Sequence, residues 1–376
     1  MVWRQTNSAF GNSASRGQAV LSAIITEHLA TGEPVGSKIV AERFANASGW
    51  SSATIRNVMG ELEEAGFVEQ PHTSAGRVPT DEGYRFYVDN LLGVLQISAA
   101  DLQFINQGLG VASSISSIND GTIMPEKLLE RTSQLLSALS GNIGIVISPG
   151  LADDRLQQIR FVALADRRVL VVLVSAPHLV HHKVIRLEAV FTQDELDRTA
   201  RYLNGEFAGK SLKQIRQEIL RLMHQEKTLF DRLLQTAVIL CSESLAGEEA
   251  AGDVYVDGAS NILSKPDFTD FSQMRELLQT IEEKSRLMQI LTECLKRDSA
   301  GSGAVQVVIG RENTLTSLQN CALITAPYRI GGDASITGTL SVLGPTRIEY
   351  ARLIAVVGYL ARLFEQVLTD DAPARS

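Results

Sequence analysis

The sequence predicts an α+β, multidomain protein in which a winged helix-turn-helix precedes a domain of mixed strands and helices. Three observations support this class. A helical pattern with a hairpin pattern directly behind it occupies residues 51–79, strand patterns stand on both sides of a long helical stretch, and 376 residues are enough for two or three domains. Hydrophobic residues make up 44% of the chain and charged residues 21%, which is typical of a globular protein.

The first two predicted helices lie between residues 16 and 44. Residues 1–15 contain no apolar segment and are predicted to be a disordered arm. The helix that follows from Arg16 has an apolar side formed by Val20, Leu21, Ile24, Ile25 and Leu29. Ser37 is expected to cap the short second helix. The inward-facing residues of that helix are expected to be Ile39, Val40 and Phe44.

The third predicted helix has two chemically different faces. Apolar residues at i, i+3, i+4 and i+7 form one face, namely Ile55, Val58, Met59 and Leu62. The first turns of the other face carry short hydrogen-bonding side chains and one cation, namely Ser51, Ser52, Thr54, Arg56 and Asn57, with no acid before Glu61. Such a surface suits base edges and phosphates, although an amphipathic helix followed by a polar hairpin also occurs in proteins that bind no DNA.

A β-hairpin is predicted directly after this helix. Gly66 is expected to end the helix in the left-handed conformation, and strands are expected at 67–70 and 77–78. The residues between them favour a turn. The polar groups expected to project from this hairpin are His72, Thr73, Ser74 and Arg77.

Five blocks of this sequence resemble the HrcA family of bacterial heat-inducible transcription repressors. They are TGEPVGSK (31–38), SSATIRNVMGELEEAGF (51–67), QPHTSAGRVPTDEGYRFYVD (70–89), VVIGREN (307–313) and GTLSVLGPTRIEY (338–350). The resemblance implies a GAF-like domain that holds an inserted dimerisation domain. It also implies a CIRCE operator upstream of the chaperone operons groE and dnaK, and the chaperonin GroEL as a partner that keeps the repressor active.

Domain boundaries and later elements follow from the patterns and the resemblance together. We expect a winged-helix domain at 16–95, a linker or loosely packed helix at 96–124, a split GAF-like domain at 125–195 and 268–370, and the inserted dimerisation domain at 196–267. Strands are predicted at 143–147, 159–164, 169–174, 180–187, 305–309, 323–328 and 336–343. The chain is predicted to be helical again from 194 to 245, with one long helix at 271–296 and a final helix at 347–368.

The charge of the chain argues against non-specific binding along nucleic acid. The net charge is −8, and residues 16–80 contain five cations and seven acids. A site-specific protein needs only a local patch, and we expect the acids Glu61, Glu63 and Glu64 to lie in the half of the third helix that is away from DNA.

The predicted DNA-binding residues divide by role. Thr54, Arg56 and Asn57 are expected to read bases, and Lys38, Ser51 and Ser52 to hold phosphates. The residues expected to place the wing are His72, Thr73, Ser74 and Arg77. Because one such helix covers only half a site, we expect a homodimer on an inverted repeat of double-stranded DNA.

Enzymatic, metal and membrane functions have no support in the sequence. The motifs G-x-S-x-G, H-E-x-x-H and G-x-x-x-x-G-K-[ST] are absent, so we expect no catalytic residue and no cofactor. His181 and His182 are adjacent and would face opposite sides of a strand, so with His178 they make a poor metal site. Three widely spaced cysteines (Cys241, Cys294 and Cys321) favour buried thiols in the cytoplasm. The remaining alternative is a regulator that senses a small molecule in the GAF-like pocket.

Overall fold

The computed structural model describes a mixed α/β protein. The described residues are 11–45, 49–72, 75–93, 95–109, 125–149, 155–176, 179–187, 190–211, 214–215, 218, 252–263, 265–268, 270–297, 305–329 and 337–369. Within these ranges no helix is both long and apolar enough to cross a membrane.

The N-terminal unit, here called the head, consists of four helices and a hairpin. Its elements are α1 (Gly11–Thr31), α2 (Ser37–Phe44), α3 (Ser52–Glu64), β1 (Val68–Glu69), β2 (Val78–Pro79) and α4 (Asp81–Phe86). β1 and β2 pair antiparallel, and an isolated bridge joins Val35 to Arg77 on the other side of β2. The hairpin is therefore tied to the segment that connects α1 to α2.

Three predictions about the first helices are wrong. α1 begins at Gly11, so residues 11–15 of the predicted disordered arm are helical, while residues 1–10 lie outside the described residues. Gly36, which has an extended backbone, occupies the N-cap position of α2, and Ser37 is already helical. Ile39 does not face inward, since 46% of its surface is exposed, whereas Val40 is buried. Of the eight residues of α2, only Val40 is buried.

The predicted linker contains a helix. After α4 the chain forms a π-helical turn (Tyr87–Leu91) and then α5 (Ala99–Leu109), which buries Asp101, Ile105 and Leu109. The Arg352 guanidinium donates to both carboxylate oxygens of Asp101, at 2.7 and 3.1 Å. Residues 99–109 therefore pack into the protein, through a partner 251 positions away in the sequence.

A five-stranded antiparallel sheet forms the centre of the second unit, here called the body. Its strands are β3 (Ile143–Ile147), β7 (Val254–Asp257), β8 (Gln306–Ile309), β9 (Cys321–Arg329) and β10 (Thr337–Pro345). The strand order is β7-β3-β10-β9-β8. The strands predicted at 143–147, 305–309, 323–328 and 336–343 are confirmed within a few residues.

Helices cover both faces of this sheet, which explains why its strands carry few exposed residues. On one face, Val146, Ile324 and Leu340 pack with α6 (Pro125–Ser140) and α11 (Tyr350–Thr369). On the other face, residues such as Ile145 and Leu323 pack with α9 (Phe271–Glu282) and α10 (Lys284–Arg297). Side chains at alternating positions along a strand thus enter different layers.

The prediction of one helix over 271–296 is wrong, because Glu283 has an extended backbone that separates α9 from α10. A short helix, α8 (Ala259–Leu263), precedes α9.

A second, three-stranded sheet stands apart from the first. It contains β4 (Arg155–Ala163), β5 (Arg168–Ala176) and β6 (Leu179–Arg186), and α7 (Gln193–Phe207) covers one of its faces. The predicted boundaries place these strands in the split domain and β7 in the insertion at 196–267. The pairing differs, since β7 hydrogen-bonds to β3 and the strands β4–β6 pair with each other. The helical run predicted up to residue 245 lies outside the described residues beyond 218.

Candidate nucleic-acid interface

The N-terminus of α3 is fixed by a cap and by a buried apolar face. The Ser51 hydroxyl accepts a hydrogen bond from the Thr54 backbone N–H at 3.2 Å, which satisfies one of the free donors of the first turn. The predicted apolar face is confirmed, because Ile55, Val58, Met59 and Leu62 are all buried. Gly66 takes the left-handed conformation predicted for it, with φ of 81°.

The opposite face of α3 presents unpaired polar side chains to solvent. Arg56 and Asn57 are exposed, and within the described part of the chain neither makes a hydrogen bond or an ion pair. The first turn of α3 contains no acid. These two side chains can therefore change partner without first breaking a contact inside the protein.

Hydroxyl groups join the N-termini of α2 and α3. Ser37 Oγ and Ser52 Oγ are 2.9 Å apart, and Ser51 Oγ lies 3.0 Å from Thr54 Oγ1. Lys38, in the first turn of α2, is exposed. The structure thus brings Lys38, Ser51, Ser52 and Thr54 to one end of the head, where the partial positive charge of two helix N-termini favours an anion.

Arg77 does not project from the hairpin as predicted. Its side chain is 17% exposed, and its guanidinium donates to Glu63 Oε2 at 2.7 Å. Its backbone N–H and C=O both bond to Val35, at 2.9 Å each. His72 is exposed, whereas Thr73 and Ser74 lie outside the described residues. Arg77 therefore connects the hairpin to α3. Nothing in the sequence indicated this ion pair, because Glu63 and Arg77 are 14 positions apart and no helix or strand period relates them.

The acids of α3 are arranged partly as predicted. Glu61 and Glu64 are exposed in the second half of the helix, away from Ser51. Glu63, in contrast, is the partner of Arg77. Acids at a helix C-terminus are unfavourable with respect to the helix dipole, and the ion pair offsets part of this for Glu63.

Arg16 and Trp50 form a contact that the sequence did not suggest. The Arg16 guanidinium carbon lies 5.4 Å from the centre of the Trp50 ring, and the Trp50 and Phe44 rings are 4.9 Å apart. Trp50 immediately precedes the Ser51 cap. The start of α1 and the end of α2 thus support the residue that leads into α3.

Other candidate sites are weaker. The described residues contain no group of three His, Cys, Asp or Glu side chains that could hold a metal ion; His181 and His182 lie on β6, and His178 is outside the described residues. Cys294 and Cys321 are buried, and burial raises the pKa of Cys321 to about 12. A cavity of 510 Å³ lies between residues 93–101 and α11, and its charged lining residues, Asp101 and Arg352, pair with each other.

Comparison with known proteins identifies relatives over nearly the whole length. The family model of the HrcA protein C-terminal domain matches residues 126–354. The heat-inducible transcription repressor HrcA of Syntrophobacter fumaroxidans is 38% identical over 95% of this chain and 98% of its own length. The HrcA repressor of Geobacter sulfurreducens is also 38% identical, over 95% and 99%. A crystal structure of a hypothetical protein, 23% identical, matches 95% of this chain and 99% of its own with a TM-score of 0.59, which supports the fold alone.

Proposed function

Because the chain belongs to the HrcA family of heat-inducible transcription repressors, we propose that its head is a winged helix-turn-helix that binds one specific DNA sequence. One observation carries this proposal: α3 buries its apolar face and offers Arg56 and Asn57, exposed and unpaired among the described residues, on the other. The major groove of B-DNA, about 12 Å wide, accepts such a helix.

The base-reading role belongs to three residues in the first half of α3. An arginine can donate two hydrogen bonds to the O6 and N7 atoms of guanine, and an asparagine can pair with N6 and N7 of adenine. We assign these contacts to Arg56 and Asn57, with Thr54 beside them. The Thr54 hydroxyl already bonds to Ser51, which restricts it to a contact compatible with that geometry.

Phosphate contacts are assigned to Lys38, Ser51 and Ser52. They lie where the N-termini of α2 and α3 meet, and backbone N–H groups and the helix dipoles favour a phosphate there. Lys38 adds a charge that no carboxylate among the described residues neutralises. These contacts would fix the register of α3 in the groove without reading sequence.

The β1–β2 hairpin acts as the wing in this proposal. His72, Thr73 and Ser74 would approach the DNA backbone, while Arg77 would act indirectly, by holding the hairpin against Glu63 of α3. Arg77 is therefore a positioning residue, and its guanidinium is not available for a phosphate while the pair with Glu63 persists.

We further propose that the protein binds DNA as a homodimer. In this proposal the five-stranded body has a GAF-like fold, and the β4–β6 unit belongs to the inserted dimerisation domain. Across this sheet Val162 is opposite Leu170, and Leu170 is opposite Val184, so the three share the face that α7 does not cover. Val162 and Val184 are 42% and 50% exposed, and a second copy of this face would remove them from water.

For the operator and the regulation we propose what the family resemblance implies. Two heads related by a two-fold axis fit the CIRCE inverted repeat upstream of groE and dnaK, in the cytoplasm, with GroEL as the partner that maintains activity. Relief on heating follows if warming shifts the dimer toward monomers, because assembly and stability are coupled. Analytical ultracentrifugation across the stress range checks this step, and a constant dimer fraction contradicts it.

DNA binding itself is tested by fluorescence anisotropy at one fixed salt concentration. Purified protein is titrated onto a CIRCE duplex and onto a scrambled duplex of the same composition, with and without GroEL. We expect the repeat to bind about a thousandfold more tightly, the lower range of specific recognition. The same titration is made with Arg56→Ala, which removes a proposed base contact. Its control is Arg198→Ala, which removes an exposed arginine from α7 and so loses the same positive charge. Equal binding of both duplexes under both conditions contradicts the proposal.

A further inference from the structure

α4 is packed tightly against the rest of the head, although it leads toward the body. Thr80 caps α4, and its hydroxyl also donates to the Gly66 carbonyl at 2.6 Å. Gly83 lies so close to the Phe67 carbonyl oxygen that a Cβ at that position would be 2.0 Å from it. The rings of Phe86 and Phe67 are 5.0 Å apart. A displacement of α4 is therefore a displacement of the hairpin and α3.

The part of the body that faces α4 is equally well fixed. It is a 3-10 turn, Gly310–Glu312, at the end of β8. The Asn313 amide behind this turn is buried and donates to the carbonyls of Gly310, Leu318 and Cys321, at 2.9, 3.0 and 3.1 Å. The turn therefore moves with the five-stranded sheet.

Two side chains of α4 connect these rigid parts. Arg85 donates from Nε to Glu312 Oε1 at 2.7 Å and from Nη2 to Glu312 Oε2, a bidentate arrangement that fixes orientation as well as distance. Its Nη2 also donates to the Val307 carbonyl. Asp81 accepts from the Arg311 backbone N–H at 2.9 Å. We call this set of contacts the joint.

Additional contacts limit rotation about the joint. Arg347 holds Asp267 with two hydrogen bonds of 2.9 and 3.0 Å and donates to the Leu29 carbonyl of α1 at 3.3 Å. The rings of Tyr84 and Tyr350 are 5.6 Å apart. The head is thus attached to the body at its hairpin side and at the end of α1.

We propose that Asp81, Arg85 and Glu312 determine which spacing between two operator half-sites the protein accepts. The inference rests on the proposed function, in which the bodies form the dimer and each head binds a half-site. The separation of the heads is then set by the angle at which each head leaves its body. A rigid joint permits one spacing, and a loosened joint permits several, at lower affinity for the best one.

The joint does not include the DNA-contacting side of the head. Asp81 and Arg85 face the body, whereas Arg56 and Asn57 face solvent. Loosening the joint should therefore leave the affinity of one head for one half-site unchanged. This separates a spacing role from a role in DNA contact or in folding of the head.

The test uses the full chain and a series of inverted-repeat duplexes whose spacer differs from the CIRCE spacer by 0, 2 or 5 base pairs. Five base pairs are about half a helical turn, which turns the second half-site to the other side of the duplex. We expect wild type to lose about a hundredfold in affinity at 5 base pairs, because two-headed binding adds roughly 10²–10⁴-fold only when both heads can engage. In Glu312→Gln and in Asp81→Asn this loss should fall to about tenfold or less, with unchanged affinity for a single half-site.

Controls separate loosening from unfolding and from loss of charge. Circular dichroism establishes that each variant is folded at the titration temperature. Glu312 accepts a hydrogen bond from the Ile309 N–H at 2.8 Å, and Glu312→Gln keeps an oxygen that can accept the same bond. Glu283→Gln removes an acid from an exposed pair with Arg286 and should keep the wild-type spacer profile. A folded joint variant with the wild-type profile, or with reduced half-site affinity, overturns the inference alone. A wild type that does not prefer the repeat to a scrambled duplex overturns the proposed function and the inference together.

Discussion

Two polar surfaces of the head differ in whether their side chains have partners. On the solvent side, Lys38, Arg56 and Asn57 are exposed and unpaired among the described residues. On the body side, Arg85 pairs with Glu312, and Asp81 holds the Arg311 N–H. Each surface carries an arginine, Arg56 on the solvent side and Arg85 on the body side, so the residue type is the same in both places. The difference shows that the partner, and not the residue type, decides whether a charged side chain stays free in solvent or holds the head against the body.

The energetics of the two surfaces differ accordingly. An exposed arginine is hydrated and loses little when it exchanges water for a base edge or a phosphate. A partly buried pair that loses one member leaves the other charge poorly solvated, which is costly. Substitutions on the solvent side should therefore change DNA affinity, and substitutions on the body side should change stability or geometry.

The largest effect is expected for Arg56→Ala. Loss of a bidentate contact should cost about 1 to 3 kcal/mol per half-site, hence roughly twice that in a dimer, with weaker discrimination at one base position.

Lys38→Ala should instead weaken binding to all sequences and lower the slope of affinity against salt by about one per half-site. Anisotropy titrations on base-substituted operators at several salt concentrations distinguish the two. Unchanged discrimination in Arg56→Ala removes it from the base-reading set.

Gly83→Ala should produce the largest change in stability. A methyl group 2.0 Å from the Phe67 carbonyl oxygen forces α4 away from the hairpin, which should cost about 2 kcal/mol or more. Gly60→Ala is the matched change within α3. No atom lies within 4 Å of the added methyl group there, so the helix should become more stable by about 0.5 to 1 kcal/mol. Urea unfolding followed by circular dichroism measures both, and equal effects would contradict the proposed packing of α4.

A smaller effect is expected for the pair of Arg77 and Glu63. Each single substitution, Arg77→Ala or Glu63→Ala, should weaken operator binding moderately, and the double variant should be no worse than the single ones, with a coupling of about 1 kcal/mol. The salt dependence should stay that of wild type in all three. A salt slope reduced in Arg77→Ala alone would mean that Arg77 contacts a phosphate directly.

The smallest effect concerns Asp101 and depends on pH. Hydrogen bonding to Arg352 holds the pKa of the Asp101 carboxyl below its ordinary value. A depressed folded-state pKa contributes stability above the unfolded-state value of about 3.9, and that contribution is lost as the pH falls through the folded-state pKa. Asp101→Asn should therefore be less stable than wild type at pH 7, by about 1 kcal/mol or less, and should approach wild type near pH 3. Thermal unfolding at both pH values measures this difference, and a constant difference contradicts it.

Local patterns predicted the elements that depend on neighbouring residues. The apolar face of α3 and the left-handed Gly66 both involve residues a few positions apart. Features that depend on distant partners were missed. Examples are the packing of α5 through Asp101 and Arg352, the pairing of Arg85 with Glu312, and the division of the predicted strands between two sheets. Hydrophobic alternation identifies a strand but not the strand with which it pairs.

The candidate site divides in the same way. The sequence correctly indicated that the first half of α3 is polar and the opposite face buried, because helical spacing alone determines it. It misplaced Arg77 and Ile39, since the partner Glu63 and the limited width of the buried side of α2 become visible only in three dimensions. Whether the assigned residues contact DNA remains a prediction.

The central claim is that DNA lies against the first half of α3, and amide hydrogen exchange measures this most directly. Exchange is followed by mass spectrometry for the full chain alone and with a saturating inverted-repeat duplex. We predict added protection at residues 37–40, 51–57 and the hairpin, with little change in the five-stranded sheet of the body. Protection concentrated in β4–β6 or the body, with none at residues 51–57, would contradict the assignment of α3 as the helix that reads DNA.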